Sequence, residues 1–272
     1  MIRLFPLTLA ALCLTAPASA QIPSFQHIII VIQENRSPDN FFQGLCTPTI
    51  TNPTSCSTAP SGQQQQYNIQ TANTGWADKT SKTGFTTDIL TTCKLRDVSW
   101  VTPDGKNSDH AGYTNRTGGP SWVASIVNAV GQSTCTNPSD GSSYWESTAI
   151  IITWDDWGGW YDHVAPMIQP YPYGGFEMGF RVPLIVVSAY TPARFISNMP
   201  EDFGSVARFI EHNFGITEGA LTFADARGGA SDLSEYFSLV GNAARTFQPI
   251  SAPLPAQHFI DTPPSGDPPD DE

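Results

Sequence analysis

Two short runs of β-branched residues constrain this chain more than any other feature. His27-Ile-Ile-Ile-Val-Ile32 and Ala149-Ile-Ile-Ile152 are apolar without alternation. That pattern suits strands buried on both faces, which belong to parallel sheets covered by helices. Each run stops abruptly at polar residues, Glu34-Asn35-Arg36-Ser37 after the first and Asp155-Asp156 after the second. In open α/β sheets, ligands gather beyond the carboxyl ends of the strands. Three carboxylates and a histidine, Asp155, Asp156, Asp162 and His163, fall within nine residues here, among Trp154, Trp157, Trp160 and Tyr161. A polar turn with aromatic packing needs fewer charges, so a metal or catalytic site is the better reading.

If both strands lie in one parallel sheet, Glu34 and Asn35 reach the same edge as Asp155 and Asp156. Two kinds of oxygen donor, carboxylate and amide, then face one another, a set that suits a hard divalent cation. Glu34-Asn35 capping a following helix is the alternative.

The first twenty residues stand apart. Arg3 supplies a positive start, Leu4 to Leu14 an apolar stretch and Ala18-Ser19-Ala20 a small-residue cleavage signal, so residues 1–20 read as a signal peptide. The apolar part is short for a bilayer span, and no later segment supplies the ~20 apolar residues needed, so no transmembrane segment is expected. The mature chain would start near Gln21 in a secreted or periplasmic location. The remaining length suits one α/β domain, read as 21–245. A net charge of −12 argues against nucleic acid as a partner. Cys46, Cys56, Cys93 and Cys135 remain after cleavage, and one or two disulfides are expected in an oxidising compartment. Three pairings are open; Cys46 with Cys56 is slightly favoured, because both lie in a loop-like stretch.

Glu34-Asn35-Arg36-Ser37, the run Asp155 to His163, and Arg181-Val-Pro183 together resemble the bacterial phosphoesterase family of phospholipases C and acid phosphatases. Asp202-Phe-Gly-Ser205 with Arg208-Phe-Ile-Glu211 and Phe214-Gly215 is similar to a further signature of that family. The resemblance implies an alkaline-phosphatase-like α/β fold, with a mostly parallel sheet and helices on both faces. It implies a metal-dependent hydrolase acting on phosphodiesters or phosphomonoesters, with a phospholipid headgroup among the candidate substrates. Asp109-His110 matches a family active-site histidine of the Asp-His type, and His163 joins them as a catalytic candidate. Asp162 and Arg181 are expected behind the metal ligands, orienting them.

The resemblance has a gap. Residues 46–94 are rich in Thr, Ser, Asn and Gln, and read as loop-like with an apparent internal deletion. Family members carry a Ser or Thr nucleophile followed by Pro-Asn in the missing segment. No such motif occurs here; Thr86 and Thr87 are the nearby hydroxyls, and the nucleophile is unknown. Weakened hydrolysis is therefore expected. The alternatives are a non-catalytic protein that binds metal or phosphate esters, and an incomplete chain that folds poorly.

Elsewhere, Val98 to Thr102 reads as a short strand ending at a proline, and Gly118 onward as a helix burying Val123, Ile126, Val127 and Val130. Arg181 to Ser188 reads as another buried strand, and a helix capped by Asp202 or Ser205 follows. Ser188 lacks a nucleophile-elbow setting. Residues 246–272 hold seven prolines, five acidic residues and no Lys or Arg, and read as a disordered or loosely draped tail.

Overall fold

The computed structural model describes residues 25–33, 88–103, 105, 107–110, 118–166, 179–217, 231–237 and 243–261. Glu34, Asn35, Cys46, Cys56, Thr86 and Thr87 lie outside them. Four strands form one sheet in the order β2-β1-β3-β4. They are β1 (His27–Gln33), β2 (Val98–Val101), β3 (Thr148–Trp154) and β4 (Leu184–Ser188). β1 runs parallel to both β2 and β3, whereas β4 is antiparallel to β3. The sheet is thus mostly parallel, and the α/β expectation holds in that form. Arg181 to Ser188 departs from a fully buried strand: β4 pairs only with β3 among the described residues, and just Val186 and Ser188 of its five residues are buried.

The absence of alternation in β1 and β3 has the anticipated cause. Ile29 and Val31, with Ile150, Ile152 and Trp154, face one apolar layer. Ile28 and Ile30, with Ala149 and Ile151, face the other. The first layer is filled from helix α1 (Gly118–Gln132) by Trp122, Ile126, Val127 and Val130. After the short α2 (Tyr144–Ser147), which a Ser143–Glu146 capping box starts, the chain enters β3 directly. The second layer is filled from α3 (Phe203–Phe214) by Val206, Phe209 and Ile210. Asp202 caps α3, its side chain accepting from the Ser205 amide at 3.1 Å. Gly215, at φ 65°, ends the helix in a left-handed conformation that costs a glycine little.

A disulfide joins Cys93, before β2, to Cys135, after α1. Closing a loop of 42 residues in the unfolded chain stabilises the fold by about 4 kcal/mol on the chain-entropy model. The favoured Cys46–Cys56 pair lies outside the described residues.

The loose-tail expectation is corrected for residues 246–261. This stretch lies along α1 and ends in α4 (Ala256–Asp261), whose Phe259 is buried in the first layer. Asn128 accepts from the Ile250 amide at 2.8 Å and donates to its carbonyl at 2.9 Å, imitating a strand pair. Phe247 rests where a side chain on Gly131 would stand. Composition alone missed this because few anchoring contacts suffice to fix a proline-rich segment that has little backbone entropy to lose.

The same amide device fastens the start of the fold. Asn213 accepts from the Phe25 amide at 2.7 Å and donates to its carbonyl at 2.9 Å. His27, the first residue of β1, is buried, with Nδ1 3.0 Å from the Arg96 carbonyl and its ring 4.9 Å from that of Tyr144. Nδ1 must therefore carry a proton and donate it. Nε2 is buried without a hydrogen-bond partner among the described residues, and burial holds the imidazole below its ordinary value of 6.5.

Two outcomes follow. Gly131→Ala should lower stability by ~1–3 kcal/mol in urea unfolding, because Phe247 must yield. In a Phe247→Ala background the same change should be neutral or stabilising, since Ala is worth ~1 kcal/mol over Gly in a helix. For His27, the folded-state value lies below the unfolded one, so its contribution is full above pH 6.5 and is lost as pH falls below that value. Urea midpoints should decline with acidification from pH 6.5, and His27→Gln should flatten that decline.

Candidate active site

The strand order 2-1-3 places the topological switch point between β1 and β3, where open α/β sheets form their ligand crevice. The register carries both strands to the same end, Gln33 opposite Trp154. One further bond extends the ladder, as the Asp155 amide donates to the Gln33 carbonyl at 2.9 Å. β2 ends at that edge too, so the loop carrying Asp109 and His110 emerges there. Arg181 precedes β4 at the same edge, because Leu184 pairs with Thr153.

Asp155 is half-buried and Asp156 exposed. Neither carboxylate is left to swing. The Asp156 amide donates to Asp155 Oδ1 at 2.6 Å, and the Gly158 amide donates to Asp156 Oδ1. The chain then reverses between Trp157 and Trp160, closed by the Trp160 amide on the Trp157 carbonyl at 3.0 Å. Gly158 and Gly159 sit at φ 60° and 73°, a pair of left-handed residues that other side chains adopt only with strain. The glycines between the aspartates and His163 thus have a backbone reason.

Asp162 is the buried member of the group. Arg181 grips it with two parallel bonds, Nε to Oδ2 at 2.6 Å and Nη2 to Oδ1 at 2.7 Å. His163 is exposed, with Nδ1 3.5 Å from Asp162 Oδ1. The pair clamps the end of the carboxylate loop to the approach of β4, and Thr153 Oγ1 adds a bond to the Pro183 carbonyl at 3.1 Å. Asp162 and Arg181 thereby fix the loop that presents Asp155 and Asp156.

Asn107, Ser108 and Asp109 are buried, and His110 is half-buried. Asp109 takes φ 69°, costly outside glycine, and its carboxylate lies against Gly119 in the first turn of α1. A side chain at Gly119 would collide with it. The His110 amide donates to Ser108 Oγ at 3.2 Å, and Ser108 Oγ donates to the Gly105 carbonyl at 3.1 Å. Sequence reasoning named Asp109 and His110 but gave no weight to Gln33, Asn107 or Gly119. The signal for Gln33 was a polar residue closing an otherwise apolar strand.

Of the aromatic residues, Trp154 belongs to the core. Trp157 meets Phe180 edge-on at 5.2 Å, and Tyr161 lies 6.3 Å from the same ring, so an aromatic wall stands beside the carboxylates. Among the described residues, no group of three or more His, Cys, Asp and Glu is arranged to hold a metal. The two described members of the expected ligand set are both carboxylates, donors that fit a hard cation; the other two lie outside the described residues.

The phosphoesterase family model matches residues 82–217. That span contains Asp109, His110, Asp155, Asp156, Asp162, His163 and Arg181. Among characterised proteins, the chain is similar to the non-hemolytic phospholipase C of Pseudomonas aeruginosa, 28% identical over 161 residues, 48% of this chain and 22% of that protein. It is 28% identical to phospholipase C B of Mycobacterium tuberculosis over 191 residues, 62% of this chain and 33% of that protein. A non-specific phospholipase C1 of Arabidopsis thaliana is 27% identical over 118 residues, 36% of this chain and 22% of that protein. The chain thus covers between a fifth and a third of the length of these relatives.

Arg181→Ala would strip the buried Asp162 carboxylate of both its short bonds, leaving the Val164 amide at 3.3 Å and His163 at 3.5 Å beside it. Fully buried pairs lose ~3–5 kcal/mol on such a change; with Arg181 partly exposed, about 2 kcal/mol is expected in urea unfolding. Arg181→Lys should recover little of it, since an ammonium cannot form both parallel bonds.

Proposed function

The chain belongs to the phosphoesterase family, and from that membership we propose that it is an exported, metal-dependent phosphoesterase of phospholipase C type, weakened by the missing nucleophile segment. The observation that carries this reading is the bond from the Asp155 amide to the Gln33 carbonyl, which joins the ends of β1 and β3 at the switch point. Glu34 and Asn35 follow Gln33 directly in sequence. These four residues would hold the cation. In that position a divalent cation supplies Lewis-acid chemistry to a phosphoryl group. The alkaline-phosphatase-like form of the sheet belongs to the same proposal.

The chain's own residues have separable tasks. Asp155 and Asp156 present oxygens whose direction the neighbouring amides restrict, so little reorganisation is needed when charge arrives. His110 stands after β2 to hydrogen-bond a phosphoryl oxygen or the leaving group, and its neighbour Asp109 anchors that loop against Gly119 of α1. Asp162 and Arg181 hold the loop, and His163 offers a second imidazole at the edge. The wall of Trp157, Phe180 and Tyr161 suits an apolar or quaternary-ammonium part of the substrate, such as the headgroup that phosphatidylcholine keeps on its phosphate when diacylglycerol leaves. A second reading, a protein that binds metal or phosphate esters without turnover, is favoured by the absence of a Ser or Thr followed by Pro-Asn in residues 46–94.

The test is hydrolysis of bis(p-nitrophenyl) phosphate and p-nitrophenyl phosphate by the purified chain. Weak turnover is expected, lost on chelation, restored by added divalent metal, and reduced by ~10²-fold or more in Asp156→Ala. Thr86→Val and Thr87→Val should leave it unchanged. Turnover abolished by either threonine change would identify a substitute nucleophile in the loop. Metal-dependent stabilisation with no turnover on either ester would establish the binding reading instead.

A further inference from the structure

We propose that the segment from Phe195 to Phe203 is a docking surface for a zwitterionic phospholipid membrane. This rests on the phospholipase reading and supplies the partner that such a site requires. Phe195 is 40% exposed, Ile196 82%, Met199 54% and Phe203 52%. Single exposed apolar residues are ordinary, but four large ones within nine positions form a patch of the kind that marks a partner or a membrane.

The segment is held in place rather than merely unpacked. Arg194 takes φ 61°, a left-handed conformation that is costly for a side-chain-bearing residue. The turn behind it is closed by the Phe195 amide on the Pro192 carbonyl at 3.4 Å. Ser197 Oγ donates to the Glu235 carboxylate and accepts from the Met199 amide at 2.9 Å. The Phe195 ring stands edge-on to that of Tyr236 at 5.6 Å. Four anchors thus fix a loop whose apolar side chains face water, an arrangement with no use in packing.

Its position connects it with the candidate site. β4 ends at the amino edge of the parallel strands, where Ser188 pairs with Ala149. The end of α3 lies at that edge too, where Asn213 clasps Phe25. α3 therefore begins toward the carboxyl edge, and Met199 and Phe203 flank its start on the side of the sheet that carries Asp155 and Asp156.

Charge selects the occupant. Residues 190–200 contain no Asp or Glu, and Arg194 is their one charged residue, in a chain of net charge −12. A second copy would bring the same excess of negative charge to the contact. Asp202 and Glu235 at the margin oppose an anionic bilayer as well. A zwitterionic surface avoids both penalties, accepts the four apolar side chains at its acyl boundary and offers phosphates to Arg194.

The probe is flotation of the mature chain, starting at Gln21, with vesicles of pure phosphatidylcholine, alongside the double variant Ile196→Asp/Met199→Asp and the milder Ile196→Gln. Unchanged thermal transitions serve as the folding control. The wild type should float, Ile196→Gln should bind more weakly, and the double variant should lose at least tenfold in partitioning. Hydrolysis of a soluble phosphodiester should be equal in all three. A wild type that stays in solution, or a double variant that floats equally well, overturns the proposal. So does a concentration-dependent dimer that the double variant dissociates, which would assign the patch to a second copy. Vesicle binding without any hydrolysis would overturn the phosphoesterase reading while leaving the docking surface supported. Hydrolysis of the soluble ester without vesicle binding would overturn the docking surface alone.

Discussion

Everything described here depends on the parallel pairing of β1 with β3. Seven residues align, from His27 with Thr148 to Gln33 with Trp154. Both strands are covered on both faces, so a shift by one residue would send Ile28 and Ile30 to the layer of α1 and Ile29 and Val31 to that of α3. Register and packing therefore specify each other. The consequence for function lies at the last rung, where the ladder stops with the Asp155 amide bonded to the Gln33 carbonyl. The pairing decides which residues stand at that end of the sheet.

Among the described residues the sheet has four strands, and side-chain hydrogen bonds tie down segments that its ladder does not reach. Asn213 and Asn128 each satisfy both the amide and the carbonyl of one residue, fastening Phe25 and Ile250 without a ladder. Asp162 and Arg181 tie the carboxylate loop to the approach of β4. Each of these ties bridges segments distant in sequence, up to 188 residues for Asn213. The Asn128 tie adds to the other bonds that fasten residues 243–261, such as the Arg245 amide on the Ala189 carbonyl at 2.9 Å and the Trp145 indole on the Arg245 carbonyl at 2.6 Å.

How much of this was legible in the sequence follows from the range of each signal. β1, β3, α1 and α3 were readable because their determinants are local: β-branched runs, a spacing of three and four, a capping aspartate. The antiparallel sense of β4 was not, since Leu184 to Ser188 is as β-branched as β3 and direction is fixed by the connection rather than by the strand. Docking of residues 246–261 was missed because its anchors, Asn128 and Gly131, lie in a helix more than a hundred positions away. At the site, Asp155, Asp156 and Asp162 were conspicuous as charges after a buried strand, but their division of labour was not. Only burial separates Asp162, which Arg181 holds, from two carboxylates that the backbone aims outward. Gly119 could not be distinguished from any helix-starting glycine without knowing that Asp109 leans on it.

The two edges of the sheet show how location decides what a titratable group does. His27 stands at the start of β1 and His163 just past the turn that follows β3, with similar chemistry and opposite surroundings. At the amino edge His27 is buried, donates to Arg96 and is kept neutral by desolvation, a state that resists gaining a proton. At the carboxyl edge His163 is exposed beside a buried carboxylate that Arg181 already engages. The same contrast separates Asp162 from Asp156. Asp162 and Asp156 stand at the same end of the sheet, so enclosure by the fold, rather than strand end or residue type, sets them apart.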